Sequence, residues 1–353
     1  MHPYKELPED RFWKTAVAGR IWSEVDFKPT TRFKLSPQEK IATAGSCFAQ
    51  HIAGNLGAFG LNHFITEPAP RILSQERASQ LQYGVFSARY GNIYTARQLR
   101  QLIEFAFGLR QGSTICEEAG DGWIDLLRPG VQAEGFPSQH DLVCDRLFHL
   151  ECVKRIFLES DCFIFTLGLT EFWYDRGTNL AFPTCPGVRG GTFNPEHHLF
   201  ANASVSEVVR DLRWCIDFVA TQNPKLKWIL TVSPVALSAT GTTQHVLVAS
   251  SASKAILRAA AEEIYLAYSC CEYFPSYEIT LAPPSFGQFL DSDLRSISSR
   301  GVMLAMRLFH RVFLPSTTHF PTLTETSPHL EEQVARAVEA ECDEFFNDPG
   351  AAK

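Results

Sequence analysis

The chain has 353 residues, 45% of them hydrophobic and 20% charged, with a net charge of −7. That length supports one large domain or two small ones around a substantial core, and the composition excludes a disordered chain. No block of Lys or Arg is present, so neither a nucleic acid nor an anionic membrane surface is indicated as a partner.

Residues 1–39 are polar and Pro-interrupted, with Phe12, Trp13, Trp22 and Phe27 as aromatic anchors, and read as an arm laid across the body. Ile41-Ala42-Thr43-Ala44 is a short apolar strand. It closes at Gly45-Ser46-Cys47, after which Phe48, Ile52, Leu56 and Phe59 recur at helical spacing. A strand, a Gly-centred turn and a helix N-terminus together make a common setting for a nucleophile. The Gly permits close backbone approach, and the first helix amides point at whatever binds there. The plainer reading of the same residues is a serine that caps the helix and a small buried cysteine.

Gly60 to Ile65 reads as a second strand. The stretch 66–150 holds one clear helix near 95–108, with Leu99, Leu102, Ile103 and Ala106, fed by a turn at Gly91-Asn92. Turn signals crowd Gly112 to Gly135, so the whole stretch reads as an insertion or cap over the sheet. Cys162 to Gly168 is continuously apolar, as a central parallel strand buried on both faces should be, and it ends at Gly168-Leu169-Thr170-Glu171. Residues 176–204, with Pro183, Pro186, Gly187, Gly190 and Gly191, read as loop.

Ser206 to Gln222 is an amphipathic helix stopped by Asn223-Pro224. Trp228 to Val232 is the next strand, ended by Ser233-Pro234. A helix over 252–268 presents Ile256, Leu257, Ala260 and Ile264 on one face, and a short last strand lies within Tyr273 to Ile279. Helices near 299–313 and 329–346 complete the chain. Alternating strands and helices predict an α/β fold, a three-layer αβα sandwich on a mostly parallel, doubly wound sheet. Such sheets hold their sites at the carboxyl ends of the strands, which gathers the Gly45–Cys47, Gly168–Glu171 and Ser233-Pro234 turns on one edge. The domain organisation expected is an arm at 1–39, an α/β domain at 40–314 with the insertion at about 66–150, and a helical extension at 315–353.

Ten cysteines include no C-x-x-C pair, so no structural zinc is expected. Glu196-His197-His198 invites a metal, but adjacent residues rarely ligate one ion together, and none is expected there. Met1 to Lys5 is polar and no apolar run reaches the length of a membrane span, so the expectation is a cytoplasmic protein with reduced thiols.

Ala44-Gly45-Ser46-Cys47-Phe48-Ala49 resembles the signature of the GSCFA family, within the wider SGNH/GDSL hydrolase superfamily. Tyr90 to Leu99, Phe165 to Glu171, Thr231 to Val235, His245 to Ala249 and Tyr273 to Ile279 resemble the family too, so the likeness runs over roughly residues 3 to 313. It implies an SGNH-hydrolase-like domain of flavodoxin-like strand order. It also implies an esterase or acyltransferase that forms a covalent acyl-enzyme with a carbohydrate-like or natural-product substrate. The partners implied are a small-molecule or glycan acyl donor and acceptor, with no cofactor.

Laid on the superfamily's Gly-Asp-Ser turn, Gly45 takes the Gly and Cys47 the nucleophile position, with Ser46 the alternative nucleophile. Gly91 is the candidate for a second oxyanion donor; its plainer reading is a positive-φ turn residue with no ligand. Thr170 stands where the superfamily has an oxyanion-binding Asn, and Glu171 could orient a partner. The superfamily's Asp-x-x-His falls on Asp293-Leu294-Arg295-Ser296, so the acid is present and Ser296 replaces the histidine. Serine cannot accept a proton at neutral pH, and the standard triad is incomplete. His51 at i+4 from Cys47, His245 and His319 are the candidates to replace it. The alternative expectation is a degenerate domain that binds a glycan or a protein partner.

Overall fold

The computed structural model describes residues 2–112, 115–120 and 122–315. Strand β1 (Lys40–Gly45) feeds helix α1 (Cys47–Leu56) and the two-residue β2 (Asn62–His63). Helices α2 (Gln75–Gln80) and α3 (Ala96–Ala106) follow, then a two-stranded antiparallel ribbon, β3 (Cys116–Ala119) and β4 (Gly122–Asp125), and the long α4 (Gln139–Glu159). After β5 (Cys162–Leu167) come β6 (Glu171–Asp175), β7 (Ala181–Phe182) and β8 (His198–Asn202). The chain continues through α5 (Val205–Gln222), β9 (Lys227–Val232), α6 (Val246–Ala267), β10 (Cys271–Phe274), α7 (Ser276–Leu281) and α8 (Ser299–Phe313).

The central sheet runs β2-β1-β5-β9-β10, every pair parallel. Numbered along the chain this is the 2-1-3-4-5 order of flavodoxin-like sheets. Strand alternation sorts the core into two layers. Ala42, Ala44, Phe163, Phe165, Trp228 and Leu230 pack under α3, α4, α5 and α6, while Ile41, Cys162, Ile164 and Ile229 pack under α1, α7 and α8. The helix after β1 and the helix after β5 therefore lie on opposite faces, and the crevice between those two strand ends is the topological switch point. In register, Gly45 pairs with Thr166 and Thr166 with Thr231, so the three expected turns do share one edge.

Two stretches hold elements that the local pattern did not show. Residues 176–204 are not simply loop: β7 and β8 flank β6 in a second, antiparallel sheet of order β7-β6-β8. β7 returns onto β6 across a short hairpin turn, while β8 reaches the other side of β6 only across the longer loop between Pro183 and His197. The stretch 66–150 also contains the start of α4, 21 residues long, whose Ser138 cap accepts a hydrogen bond from Asp141 N–H. This is a crossover helix of the sandwich rather than a cap. Its apolar stripe of Leu142, Leu150, Val153 and Ile156 is interrupted by Arg146 and His149, both buried, which obscures the helical period.

The N-terminal arm covers the β10 edge. Trp22 indole N–H donates to the Ile279 carbonyl at 2.8 Å, Arg32 donates to the carbonyls of Tyr268 and Cys271, and Leu35 N–H donates to the Phe313 carbonyl at 2.7 Å. Residues 316–353, and with them His319 and most of the expected C-terminal extension, lie outside the described residues.

Candidate active site

The site begins with a glycine that nothing else can replace. Gly45 has φ +141°, and a Cβ there would lie 2.5 Å from the Thr166 carbonyl oxygen. Its absence lets the end of β1 press against β5. Ser46 N–H then donates to that same carbonyl at 3.2 Å, and Ala49 N–H closes the first turn on the Ser46 carbonyl at 2.8 Å.

Ser46 occupies the N-cap position without capping. Its side chain makes no cap hydrogen bond, and its hydroxyl is 2% exposed with no partner among the described residues. Thr166, one strand over, buries an unpartnered hydroxyl as well. Buried hydroxyls are normally satisfied, so two such groups at one strand end need an explanation beyond packing. Cys47 is the first residue of α1, 3% exposed, and belongs to the apolar layer that includes Phe48, Ile52 and Val235.

The segment 90–94 forms one wall. Ile93 N–H donates to the Gly45 carbonyl at 2.8 Å, and the Tyr90 hydroxyl donates to the Thr43 carbonyl. The Tyr94 carbonyl accepts the amides of Gly168 (2.9 Å) and Leu169 (3.2 Å). A Cβ on Gly168 would come within 3.1 Å of both Ser46 Cβ and the Tyr94 ring. Gly168 thus brings the β5 turn onto the Ser46 side chain. Gly91, at φ +65° with the Gln82 side-chain oxygen 3.7 Å from where a Cβ would stand, is the turn residue that swings this wall into place. The residue that touches the β1 turn is Ile93.

The other wall comes from α6. Ser250, Ser253 and Lys254 share one buried face of that helix. Ser250 Oγ accepts the Leu237 amide at 3.2 Å. Ser253 Oγ accepts both the amide (3.1 Å) and the hydroxyl (3.0 Å) of Thr170. Thr170 therefore directs its one hydroxyl proton to α6, away from the β1 turn. Lys254, 2% exposed, donates from Nζ to the Gly168 carbonyl at 2.6 Å. Glu171 holds the loop after β9, accepting from the Thr240 hydroxyl at 2.7 Å and the Gly241 amide at 2.9 Å.

Asp293 and Ser296 complete a closed local turn. The Asp293 carboxylate accepts the amides of Arg295 and Ser296, each at 2.9 Å, and the Ser296 hydroxyl at 2.6 Å. Partial burial would raise its pKa, but these donors outweigh that and hold the carboxyl below its usual range. Ser296 thus answers the acid where an imidazole would have carried it onward. Arg295 leaves the turn to donate to the Ala236 carbonyl at 3.0 Å.

The histidine candidates divide by position. His51 is buried beside Phe48, and burial lowers its pKa to about 4, so it is neutral at pH 7. His245 is exposed and caps α6, its Nδ1 accepting the Leu247 amide at 3.2 Å. It stands nine residues before Lys254, on the order of 13 Å along the helix. His198 Nδ1 accepts the Asn194 amide at 3.1 Å.

The structure therefore brings Gly45, Ser46, Cys47, Gly168 and Lys254 together, with Thr170 behind them, and leaves His245, Glu171 and Asp293 on other duties. Sequence reading missed Lys254. The signal was present: Lys254 falls on the same helical stripe as Leu257, Ala260 and Ile264, where a cation has no ordinary place.

A pocket with about 350 Å³ of empty space, including open solvent, borders the 90–94 wall. Tyr90, Asn92, Ile93, Leu102, Phe105 and Arg146 are among its lining residues; Ser46 and Cys47 are not.

Fold and site define an α/β sandwich whose candidate centre lies where the strand order reverses. The GSCFA family model matches residues 40–309, and the chain belongs to the GSCFA family. No curated protein matches it. A solved structure described as "a putative platelet activating factor from Streptococcus pneumonia" is 16% identical, over 50% of this chain and 68% of that one, with a TM-score of 0.28. A likeness that slight bears on neither mechanism nor substrate.

Proposed function

We propose that this chain is an SGNH-type acyl-transfer enzyme, an esterase or acyltransferase, that carries the acyl group on Cys47. The observation that carries the reading is the β1 turn itself. It presents a thiol as the first residue of a helix, at the switch point, next to a buried hydroxyl that has no partner among the described residues. A helix N-terminus favours the thiolate, the reactive form, and its first-turn amides are oriented to hold an oxyanion. Ser46, one residue earlier, is the alternative carrier.

A thioester donor matches a cysteine carrier, because thiol exchange is close to thermoneutral. The acceptor is then water or the hydroxyl or amine of a carbohydrate-like or natural-product molecule, whose body the pocket beside Tyr90 and Ile93 could seat. A thiol nucleophile also suits the reducing cytoplasm. Among the described residues no helix is long and apolar enough to cross a membrane.

The test is intact-mass measurement after incubation with acetyl thioester and p-nitrophenyl acetate. Wild type should gain one acetyl group, Cys47→Ala should gain none, and Ser46→Ala should still label. An unlabelled wild type, or labelling that survives both substitutions, sinks the proposal. The second reading, a domain that binds a glycan or a partner protein, draws on the closed Asp293–Ser296 turn and is the one left standing if no adduct forms.

A further inference from the structure

We infer that Lys254 is the proton acceptor for Cys47, filling the role left open by Ser296. The inference rests on the acyl-transfer reading of the same site. Three structural observations converge. Lys254 Nζ is fixed on the Gly168 carbonyl at 2.6 Å, and Gly168 itself is wedged against the Ser46 side chain, so the amine stands beside the β1 turn. Among the described residues no carboxylate pairs with Lys254, so nothing holds the amine in its charged form except a backbone carbonyl and the thiol. Thr170, through its two hydrogen bonds to Ser253, ties this part of α6 to the end of β5 and holds the lysine in register.

The electrostatics agree with the placement. Burial lowers the Lys254 pKa to about 7; Cys47 on α1 raises it and Arg295, from the turn before α8, lowers it further. A lysine near that value is neutral often enough at pH 7 to accept a proton and charged often enough to return one.

The proton ledger balances without a cofactor. Neutral Lys254 takes the proton from Cys47 Sγ, giving ammonium and thiolate. The thiolate attacks the acyl carbonyl, an S–C bond forms, and the carbonyl π electrons move to oxygen. As the oxyanion collapses, the bond to the leaving alkoxide or thiolate breaks, and the leaving group takes the proton from Lys254. In the second half Lys254 accepts the proton of water or the acceptor hydroxyl, whose oxygen attacks the thioester; as the tetrahedral adduct collapses the C–S bond breaks, and the Lys254 ammonium returns the proton to the departing Cys47 Sγ.

The experiment is a pH profile of Cys47 alkylation by iodoacetamide, read at the peptide level by mass spectrometry. Wild type is compared with Lys254→Gln, which can still donate to the Gly168 carbonyl but cannot take a proton, and with Lys254→Met. Both substitutions should move the midpoint upward by a pH unit or more, and acetylation by the thioester at pH 7 should fall roughly 10²-fold or more. An unchanged alkylation profile overturns the inference. If acetylation also persists at the wild-type rate, acyl transfer stands without Lys254. If wild type never acetylates but alkylation still depends on Lys254, the cysteine–lysine pair stands and acyl transfer falls. In case neither variant folds, NMR of the protein labelled with ¹³Cε-lysine reports the amine in the unmodified protein. Lys254 should titrate well below the other lysines, and lower still in Cys47→Ala; titration alongside the other lysines overturns the inference.

Discussion

Buried cations are held in two different ways in this molecule. Under α4, Arg89, Arg128 and Arg146 are interleaved with Glu67, Asp125 and Asp145. Arg128 reaches Asp125 and Asp145 at 2.8 Å each, Arg89 reaches Asp145 at 3.0 Å, and Arg146 lies 3.7 Å from Asp125. Burial alone would lower the pKa of Arg128, but its acids more than compensate and raise it. Arg146, fully buried, is lowered to about 10 and still stays charged at pH 7. On α6, Lys254 has a carbonyl and a thiol as its neighbours, and its pKa is lowered to about 7. A cation buried among acids is a scaffold part; one buried beside a thiol without an acid is a group ready to titrate.

The largest break in that contrast is Asp125→Ala. It leaves Arg128 and Arg146 buried without their shared acid and should cost about 3–5 kcal/mol of stability, read from urea denaturation midpoints. Acetylation by the fraction that stays folded should be unaffected. A loss well under 1 kcal/mol would mean that the cluster relaxes toward solvent and is no rigid scaffold.

Lys254→Met tests the opposite side and has the opposite sign. Below pH 7 the folded wild type carries the burden of a buried charge, so the substitution should stabilise by roughly 1–3 kcal/mol. The folded pKa is lowered from 10.5 to about 7, so between those values the unfolded chain binds more protons and wild-type stability rises with pH. The advantage of Lys254→Met should therefore shrink as pH increases from 7 toward 10.5. Melting temperatures measured across that range check the slope, and a pH-independent difference would contradict the unpaired burial of the amine.

Asp293→Asn should do least. The carboxylate is exposed and serves its own turn, and the asparagine keeps an acceptor for the Arg295 and Ser296 amides. Stability should change by less than about 1 kcal/mol, and Cys47 acetylation should stay within about twofold of wild type. A large loss of acetylation would restore Asp293 to the catalytic apparatus.

Much of the fold was readable from local pattern. An apolar run from Cys162 to Leu167, interrupted only by Thr166, marked a strand buried on both faces, and Asn223-Pro224 marked the end of α5. The helix α4 was obscured because Arg146 and His149 interrupt its apolar stripe, and they are buried only because acids from distant segments, Asp125 and Glu67, reach them. The strands β7 and β8 were obscured because short segments among Pro and Gly become strands only when β6 pairs with them.

The same division runs through the site. By itself the sequence determined the β1 turn, its glycine, its thiol and the Asp293-x-x-Ser296 spacing, because these depend on neighbours in the chain. Only the tertiary structure decided that Ser46 leaves its hydroxyl unpartnered, that Thr170 is turned toward Ser253, and that Lys254 ends beside a turn more than two hundred residues earlier in the chain. Those outcomes depend on which strand ends meet at the sheet edge and on what each buried polar atom finds there, and parallel pairing of distant strands settles both.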